Sequence, residues 1–124
     1  MGKSNRINTF RDLVAWQKAM DLTREIYKAT SKMPADERFG LTNQMRRAAV
    51  SVPSNIAEGY ARQSLADYIK FLRIARGSLA ELSTQVELVV SMNMLPPIPN
   101  LVQLLDETDR VLQFLIMSLQ RKQT

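Results

Sequence analysis

Hydrophobic positions recur every three or four residues along most of the 124-residue chain, the spacing of an amphipathic α-helix. Short stretches rich in proline, glycine or serine separate four such segments. We expect helices over approximately residues 12–32, 41–60, 64–92 and 99–122. Because helices joined by short connections pack as antiparallel neighbours, the pattern predicts an all-α fold, an antiparallel up-down four-helix bundle.

Local signals mark several of the predicted helix ends. Ser64 and Asp67 have the spacing of a capping box at the start of the third helix. Gly59 is expected to stop the second helix, and Asp12 to cap the first. Since 124 residues suffice for one hydrophobic core, we expect residues 12–124 to form a single domain, preceded by a flexible basic arm over residues 1–11.

The segment 41–60 is the most distinctive, because Pro53 lies in its middle. Proline has no N–H for the carbonyl of Ala49, so this oxygen needs another partner, and we expect Ser54 or Asn55 to reach carbonyls freed in this way. A polar stripe with a structural role follows the helical spacing beside the apolar face, and Arg47 in it can pair with a carboxylate of a neighbouring helix or subunit. The stripe consists of Arg47, Ser51, Ser54, Asn55 and Glu58.

Composition removes most catalytic chemistry. The chain has no histidine and no cysteine, so Ser-His and Cys-His pairs are excluded. Glycine-rich nucleotide-binding motifs are also missing, and we expect no catalytic residue, no metal, no cofactor and no enzymatic activity. A magnesium-dependent nuclease built on carboxylates is the remaining enzymatic alternative. Asp21 and Glu25, which lie among basic residues, are better explained as a solvated, charge-paired surface.

The N-terminal sequence lacks the apolar core of a signal peptide, and no run reaches the roughly 18 apolar residues of a membrane span. We therefore expect a cytoplasmic protein without membrane contact.

Positive charge is concentrated in the middle of the chain. The net charge is +5, and residues 38–76 hold seven basic against two acidic residues, whereas residues 77–124 hold three against five. If the third helix continues back through residue 62, four cations share one of its faces opposite the apolar seam: Arg62, Lys70, Arg73 and Arg76. Such a face can lie along a phosphate backbone. With Arg46 of the second helix, these four are the predicted nucleic-acid-binding residues.

Some hydrophobic residues lie off the predicted core seams. They are either isolated exposed side chains, which monomers commonly carry, or parts of an interface between copies. We favour an oligomer interface formed by Val50, Pro53, Ala57, Ile74 and Leu88.

Several motifs carry a family resemblance: Trp16-Gln17-Lys18-Ala19, the run from Phe39 through Gly59, and Gly77-Ser78-Leu79-Ala80-Glu81-Leu82. They resemble the four-helix-bundle family encoded within intervening sequences of bacterial 23S ribosomal RNA genes. That family is similar to the accessory variability proteins of diversity-generating retroelements. The resemblance implies an antiparallel four-helix protomer, a homopentameric barrel with a basic surface, and binding of nucleic acid or a ribonucleoprotein without known catalysis.

Together these features predict a non-catalytic homo-oligomer that contacts RNA or DNA mainly through phosphates. The alternative is a protein-interaction scaffold or an accessory subunit for a polymerase such as a reverse transcriptase. The expected partners are therefore further copies of the chain, RNA or DNA, and in the alternative a reverse transcriptase or another ribonucleoprotein component.

Overall fold

The computed structural model describes residues 6–123, and the regular structure in that range is entirely helical. Four α-helices follow one another as α1 (Val14–Thr30), α2 (Leu41–Tyr60), α3 (Leu65–Ser91) and α4 (Pro99–Arg121). Single 3-10 turns at Phe10–Asp12 and Ala35–Glu37 precede α1 and α2. The described residues contain no strand and no helix apolar enough over its length to cross a bilayer.

Each helix packs against two others, in the cyclic order α1, α2, α3, α4 and back to α1. The order of contacts shows that α2 and α3 run antiparallel, since Ser51 meets Ser78 whereas Gly59 meets Phe71. One hydrophobic core fills the centre, and its largest fully buried side chains come from all four helices. The structure therefore confirms the prediction of four helices without strands.

The N-terminal region differs from the predicted flexible arm. Part of that arm, residues 1–5, lies outside the described residues, but Thr9 caps the turn Phe10–Asp12, and Phe10 packs edge-on against Trp16 at 5.3 Å between ring centroids. Asp12 does not cap α1, because its carboxylate accepts the N–H groups of Asn8 and Thr9. These two backbone hydrogen bonds lower the pKa of Asp12. Consequently α1 begins at Val14, two residues later than expected.

The helix α2 continues through Pro53, and a neighbouring helix supplies the missing donor. The Oγ1 of Thr23 on α1 lies 3.1 Å from the carbonyl oxygen of Ala49 and 2.8 Å from that of Ala19. Asn55 instead donates to the carbonyl and the hydroxyl of Ser51. The predicted orphan carbonyl therefore finds its partner across the α1–α2 contact, not in Ser54 or Asn55.

Gly59 is a packing residue and not the stop predicted for α2. It is buried, its φ is not positive, and α2 runs one residue beyond it. A β-carbon at this position would lie 2.8 Å from Cβ of Phe71 and 3.1 Å from the carbonyl oxygen of Tyr68. Glycine thus allows α2 and α3 to approach closely where α2 ends.

Candidate nucleic-acid interface

The centre of the candidate interface is an exposed ridge on α3. Lys70 and Arg73 stand three residues apart on this helix, and both side chains are exposed. Neither forms an ion pair with any residue that the structure describes. Because residues three apart on a helix are neighbours, the two cations present one local positive surface to solvent.

Arg62 does not continue the helical phase of α3, in contrast to the prediction. It lies in the turn between α2 and α3, because α2 ends at Tyr60 and the Ser64 hydroxyl accepts the N–H of Asp67 to begin α3. Its Nη2 donates to Oε2 of Glu58 at 2.7 Å, and its guanidinium stacks 4.5 Å from the ring centre of Phe71. Arg62 therefore borders the ridge on the α2 side as a paired cation.

Arg76 borders the ridge on the opposite side. It forms a two-pronged pair with Asp109 of α4, with Nε 2.8 Å from Oδ1 and Nη2 3.4 Å from Oδ2. Hydrogen bonding to Asp109 raises the pKa of Arg76 above its ordinary value. Such a pair leaves other guanidinium N–H donors available, but the carboxylate weakens the local positive potential. The predicted set of four equivalent cations is thus two unpaired cations between two paired ones.

Arg46, also predicted to contact nucleic acid, has a structural position. Its Nε donates to Oγ1 of Thr30 at 2.8 Å, and its guanidinium lies 4.6 Å from the ring centre of Tyr27. The side chain is half-buried and connects α2 to the end of α1. Arg46 therefore lies at the contact between α2 and α1 and not beside the ridge on α3.

A groove of about 590 Å³ runs beside the ridge between α3 and α4. Arg73, Arg76 and Gly77 line it on α3, and Asp109 and Gln113 line it on α4. An added β-carbon at Gly77 would meet nothing within 4 Å, so the backbone is open to a ligand here. The groove also contains the carboxylates of Asp106 and Asp109, so its two arginines and two carboxylates balance in charge, and the exposed cationic surface is the ridge itself.

The polar stripe of α2 is divided between paired and free side chains. Ser51 shares a hydrogen bond of 2.8 Å with Ser78 and accepts one from Asn55, so these residues join α2 to α3. Glu58 holds Arg62 through their ion pair. Arg47 and Ser54 are exposed, and no carboxylate among residues 6–123 pairs with Arg47.

The hydrophobic residues predicted to form one oligomer interface lie on different flanks. Pro53 is buried inside the protomer and Ala57 is half-buried, so the prediction is wrong for Pro53. Val50 follows Arg46 by one turn on the α1 side of α2, whereas Ile74 precedes Ser78 by one turn on the α2 side of α3. Leu88 lies in a separate groove between α3 and α4.

The acidic residues of α1 are surface pairs, as predicted. Asp21 bonds Arg24 at 3.0 Å and Glu25 lies 3.6 Å from Lys28, all with exposed side chains. The described part of the chain contains no group of three or more carboxylates arranged to hold a metal ion.

Sequence reasoning missed three side chains whose surroundings only the fold shows. Thr23 and Asp109 act on partners 26 and 33 residues away, and local periodicity gives no signal for such contacts. Gln85 is buried on the core seam of α3, and its Oε1 has no hydrogen-bond partner within the protomer over residues 6–123. The sequence indicates this buried polar group only by placing a glutamine at a position of the apolar seam.

Comparison with known proteins gives one family and one fold. The model of the family described as 23S rRNA-intervening sequence protein matches residues 11–116. A solved structure of a protein of unknown function, from the S23 ribosomal protein family of Bacteroides thetaiotaomicron, is similar with a TM-score of 0.77 and 23% identity. The similarity covers 83% of this chain and 98% of that chain, and it supports the fold alone. No curated protein matches the chain.

Proposed function

The chain belongs to the family of 23S rRNA-intervening sequence proteins, and from this premise we propose that it is a non-catalytic nucleic-acid-binding protein. It contacts RNA or DNA mainly through phosphates. The observation that carries the proposal is the exposed pair Lys70 and Arg73, which has no carboxylate partner among residues 6–123 and lies between Arg62 and Arg76. Cations on such a ridge gain free energy by releasing the counterions of a polyanion.

Two cations are a small footprint for one protomer, and self-association would enlarge it. We propose a homo-oligomer, with a homopentameric ring as the form that the family resemblance implies. Five copies of a protomer with net charge +5 would carry about +25, a field that attracts polyanions from a distance. Repetition of the ridge would then supply the number of phosphate contacts that strong binding needs.

A role as accessory subunit of a reverse transcriptase, or as a scaffold for another ribonucleoprotein, stays the alternative. In that case the ridge would bind nucleic acid only together with the partner protein.

The ridge is tested by Lys70→Gln combined with Arg73→Gln. We expect this variant to bind a labelled RNA or DNA of fixed length several-fold more weakly. The slope of log affinity against log salt should become shallower by roughly 0.7 to 0.9 for each phosphate that the variant no longer neutralises. Fluorescence anisotropy at several salt concentrations measures both quantities.

The matched control is Arg24→Gln combined with Lys28→Gln, which removes the same charge from paired positions on α1. It should lower affinity only slightly. Equal weakening in the two variants would show that net charge, and not the ridge, drives binding. Unchanged binding in the ridge variant would overturn the assignment.

A further inference from the structure

Helix α4 presents an aromatic ring to solvent beside an apolar cavity. Phe114 is 71% exposed and lines a cavity of about 420 Å³ between the start of α1 and α4. Leu13, Val14 and Leu115 are among the apolar residues of its wall, and Val14 is itself more than half exposed. The ring and the cavity therefore form one open apolar surface. We call Phe114 and this cavity the aromatic platform.

Arg110 is the one charged residue among the described residues that line the cavity. It precedes Phe114 by one helical turn, is exposed, and has no carboxylate partner over residues 6–123. Because residues four apart on a helix are neighbours, its guanidinium can reach a group that is bound beside the ring. The platform thus combines a free aromatic face with a free donor that suits phosphate oxygens.

The other charges around the platform nearly cancel. Acidic residues adjoin it on α4 and at the start of α1, and three of them have partners: Glu107 with Lys18, Asp109 with Arg76, and Asp12 with the N–H groups of Asn8 and Thr9. Asp106 has no ion-pair partner in the described range, but it lines the grooves on the α3 side and not the cavity. Arg11 is also exposed, and its guanidinium stacks on Phe10. The platform alone therefore attracts a polyanion only weakly, and it has to act together with the ridge.

The platform lies level with the ridge along the bundle. A short connection makes α3 and α4 antiparallel neighbours, and the ion pair between Arg76 and Asp109 fixes their register. Phe114 lies about 7.5 Å beyond Asp109 along α4, by the α-helical rise. In the same direction along α3, Arg73 and Lys70 lie about 4.5 and 9 Å from Arg76. The ring is therefore at a height between the two unpaired cations.

One exposed side chain connects the ridge with the platform. Met117 is 51% exposed, lines the α3–α4 groove together with Arg73, and follows Phe114 by one helical turn. The carboxylates of that groove, Asp106 and Asp109, lie about 12 and 7.5 Å from the level of Phe114, toward the start of α4. The axes of packed helices are roughly 8 to 10 Å apart. A chain of a few nucleotides can therefore pass from the ridge over Met117 to the ring without crossing a carboxylate.

We infer that the aromatic platform stacks an unpaired base of a single-stranded nucleic acid whose phosphates lie on the ridge. The base lies on the Phe114 ring, and Arg110 donates to a phosphate beside it. Bases of single strands stack on aromatic side chains with little dependence on sequence, whereas bases in a duplex are paired and stacked on one another. The inference rests on the proposed nucleic-acid binding and names its substrate class, a single strand.

Phe114→Leu tests the platform, because leucine keeps an apolar side chain that favours a helix but removes the aromatic face. Two labelled probes are compared, oligo(dT) and an abasic oligonucleotide of the same length, which carries the same phosphates without bases. The affinity of Phe114→Leu for oligo(dT) should fall at least about fivefold, since each base stacked on an aromatic side chain contributes to binding. Its affinity for the abasic probe and its salt slope should stay unchanged. Fluorescence anisotropy at several salt concentrations measures all three.

Two further variants separate stacking from a general effect of the substitution. Phe114→Tyr should keep the affinity for oligo(dT), because tyrosine retains a ring on which a base can stack. Phe39→Leu is the matched control and should bind as the unaltered protein does. Phe39 is 86% exposed, but it follows two acidic residues and lies at the end of the bundle where α3 ends, far from the ridge. Circular dichroism checks that every variant keeps its helices.

The ridge variant should behave differently from Phe114→Leu. It should weaken binding of both probes by the same factor and flatten the salt slope, since the two probes carry the same phosphates.

Equal binding of oligo(dT) by Phe114→Leu and the unaltered protein would overturn the platform and leave the ridge intact. Equal weakening of Phe114→Leu with both probes, or a loss in Phe114→Tyr as large as in Phe114→Leu, would overturn it as well. A lower mass of Phe114→Leu in sedimentation velocity would show that a second copy covers the ring, which also contradicts the inference. An unaltered protein that binds neither probe would instead contradict the proposed function, and the platform with it.

Discussion

At the scale of single residues, the structure compensates for Pro53 through a side chain distant in sequence. The sequence shows that the carbonyl of Ala49 lacks a helical donor, since proline has no N–H. It does not show the donor, Thr23, because that hydroxyl belongs to another helix and only packing brings the two together. Backbone defects can be predicted locally, whereas their compensation depends on the tertiary contact.

Replacing Thr23 with valine should destabilise the protein. The change removes the hydroxyl near Ala49 and keeps the side-chain shape, so a half-buried carbonyl is left without its partner at a cost of about 1 to 2 kcal/mol. Urea unfolding measures the difference. Thr84→Val is the matched control, since Thr84 bonds only the carbonyl of Ala80 on an exposed part of α3. Equal effects of the two substitutions would show that the hydrogen bond to Ala49 contributes nothing.

Tyr68 should make the fold sensitive to alkaline pH. Burial, together with the neighbouring Tyr60, raises the pKa of Tyr68 from 10.0 to about 12. Its contribution to stability is therefore complete below pH 10 and is lost as pH rises from 10 to about 12. Between pH 9 and pH 11.5, Tyr68→Phe should lose less stability than the unaltered protein in chemical denaturation. Tyr27→Phe, on a more exposed ring, is the control. Identical pH profiles for the Tyr68 variant and the unaltered protein would refute this explanation.

At the scale of elements, hydrophobic periodicity predicts the four helices but not all of their ends or faces. The core seam of α3 includes Leu72, Leu79 and Leu82, because core packing imposes the three- and four-residue spacing that the sequence shows. It also buries Gln85, which a search for apolar residues passes over. The predicted position of Arg62 on the cationic face of α3 was wrong. Four residues between α2 and α3 form a turn, so Arg62 does not follow the helical spacing of α3.

The surroundings of Gly59 and Gly77 predict that replacing each with alanine has opposite effects on stability. Gly59→Ala should destabilise the bundle by roughly 1 to 3 kcal/mol, because its β-carbon would meet Phe71 and the backbone of Tyr68. Gly77→Ala should stabilise it by about 0.5 to 1 kcal/mol, because the site is open and alanine favours a helix. Thermal or urea unfolding of both variants provides the comparison. A stabilised Gly59→Ala protein would show that the helices can separate without cost.

At the scale of the whole molecule, charge is segregated along the chain and only partly neutralised in the fold. The sequence predicts the basic excess of residues 38–76, but not the pairing of Arg62 and Arg76 with carboxylates, which depends on where α2 and α4 lie. Lys70 and Arg73 stay without such partners in the described range. One protomer therefore offers a small cationic ridge, and the proposed binding requires several copies to act together.

Native mass measurement with and without a mixed pool of RNA and DNA tests this requirement most directly, because it reports stoichiometry and ligand together. We predict that the protein alone has the mass of a closed oligomer, with five copies as the expected number, and that it retains nucleic acid at low salt and releases it as salt rises. A single subunit in dilute solution that retains neither RNA nor DNA at low salt would contradict the proposed function.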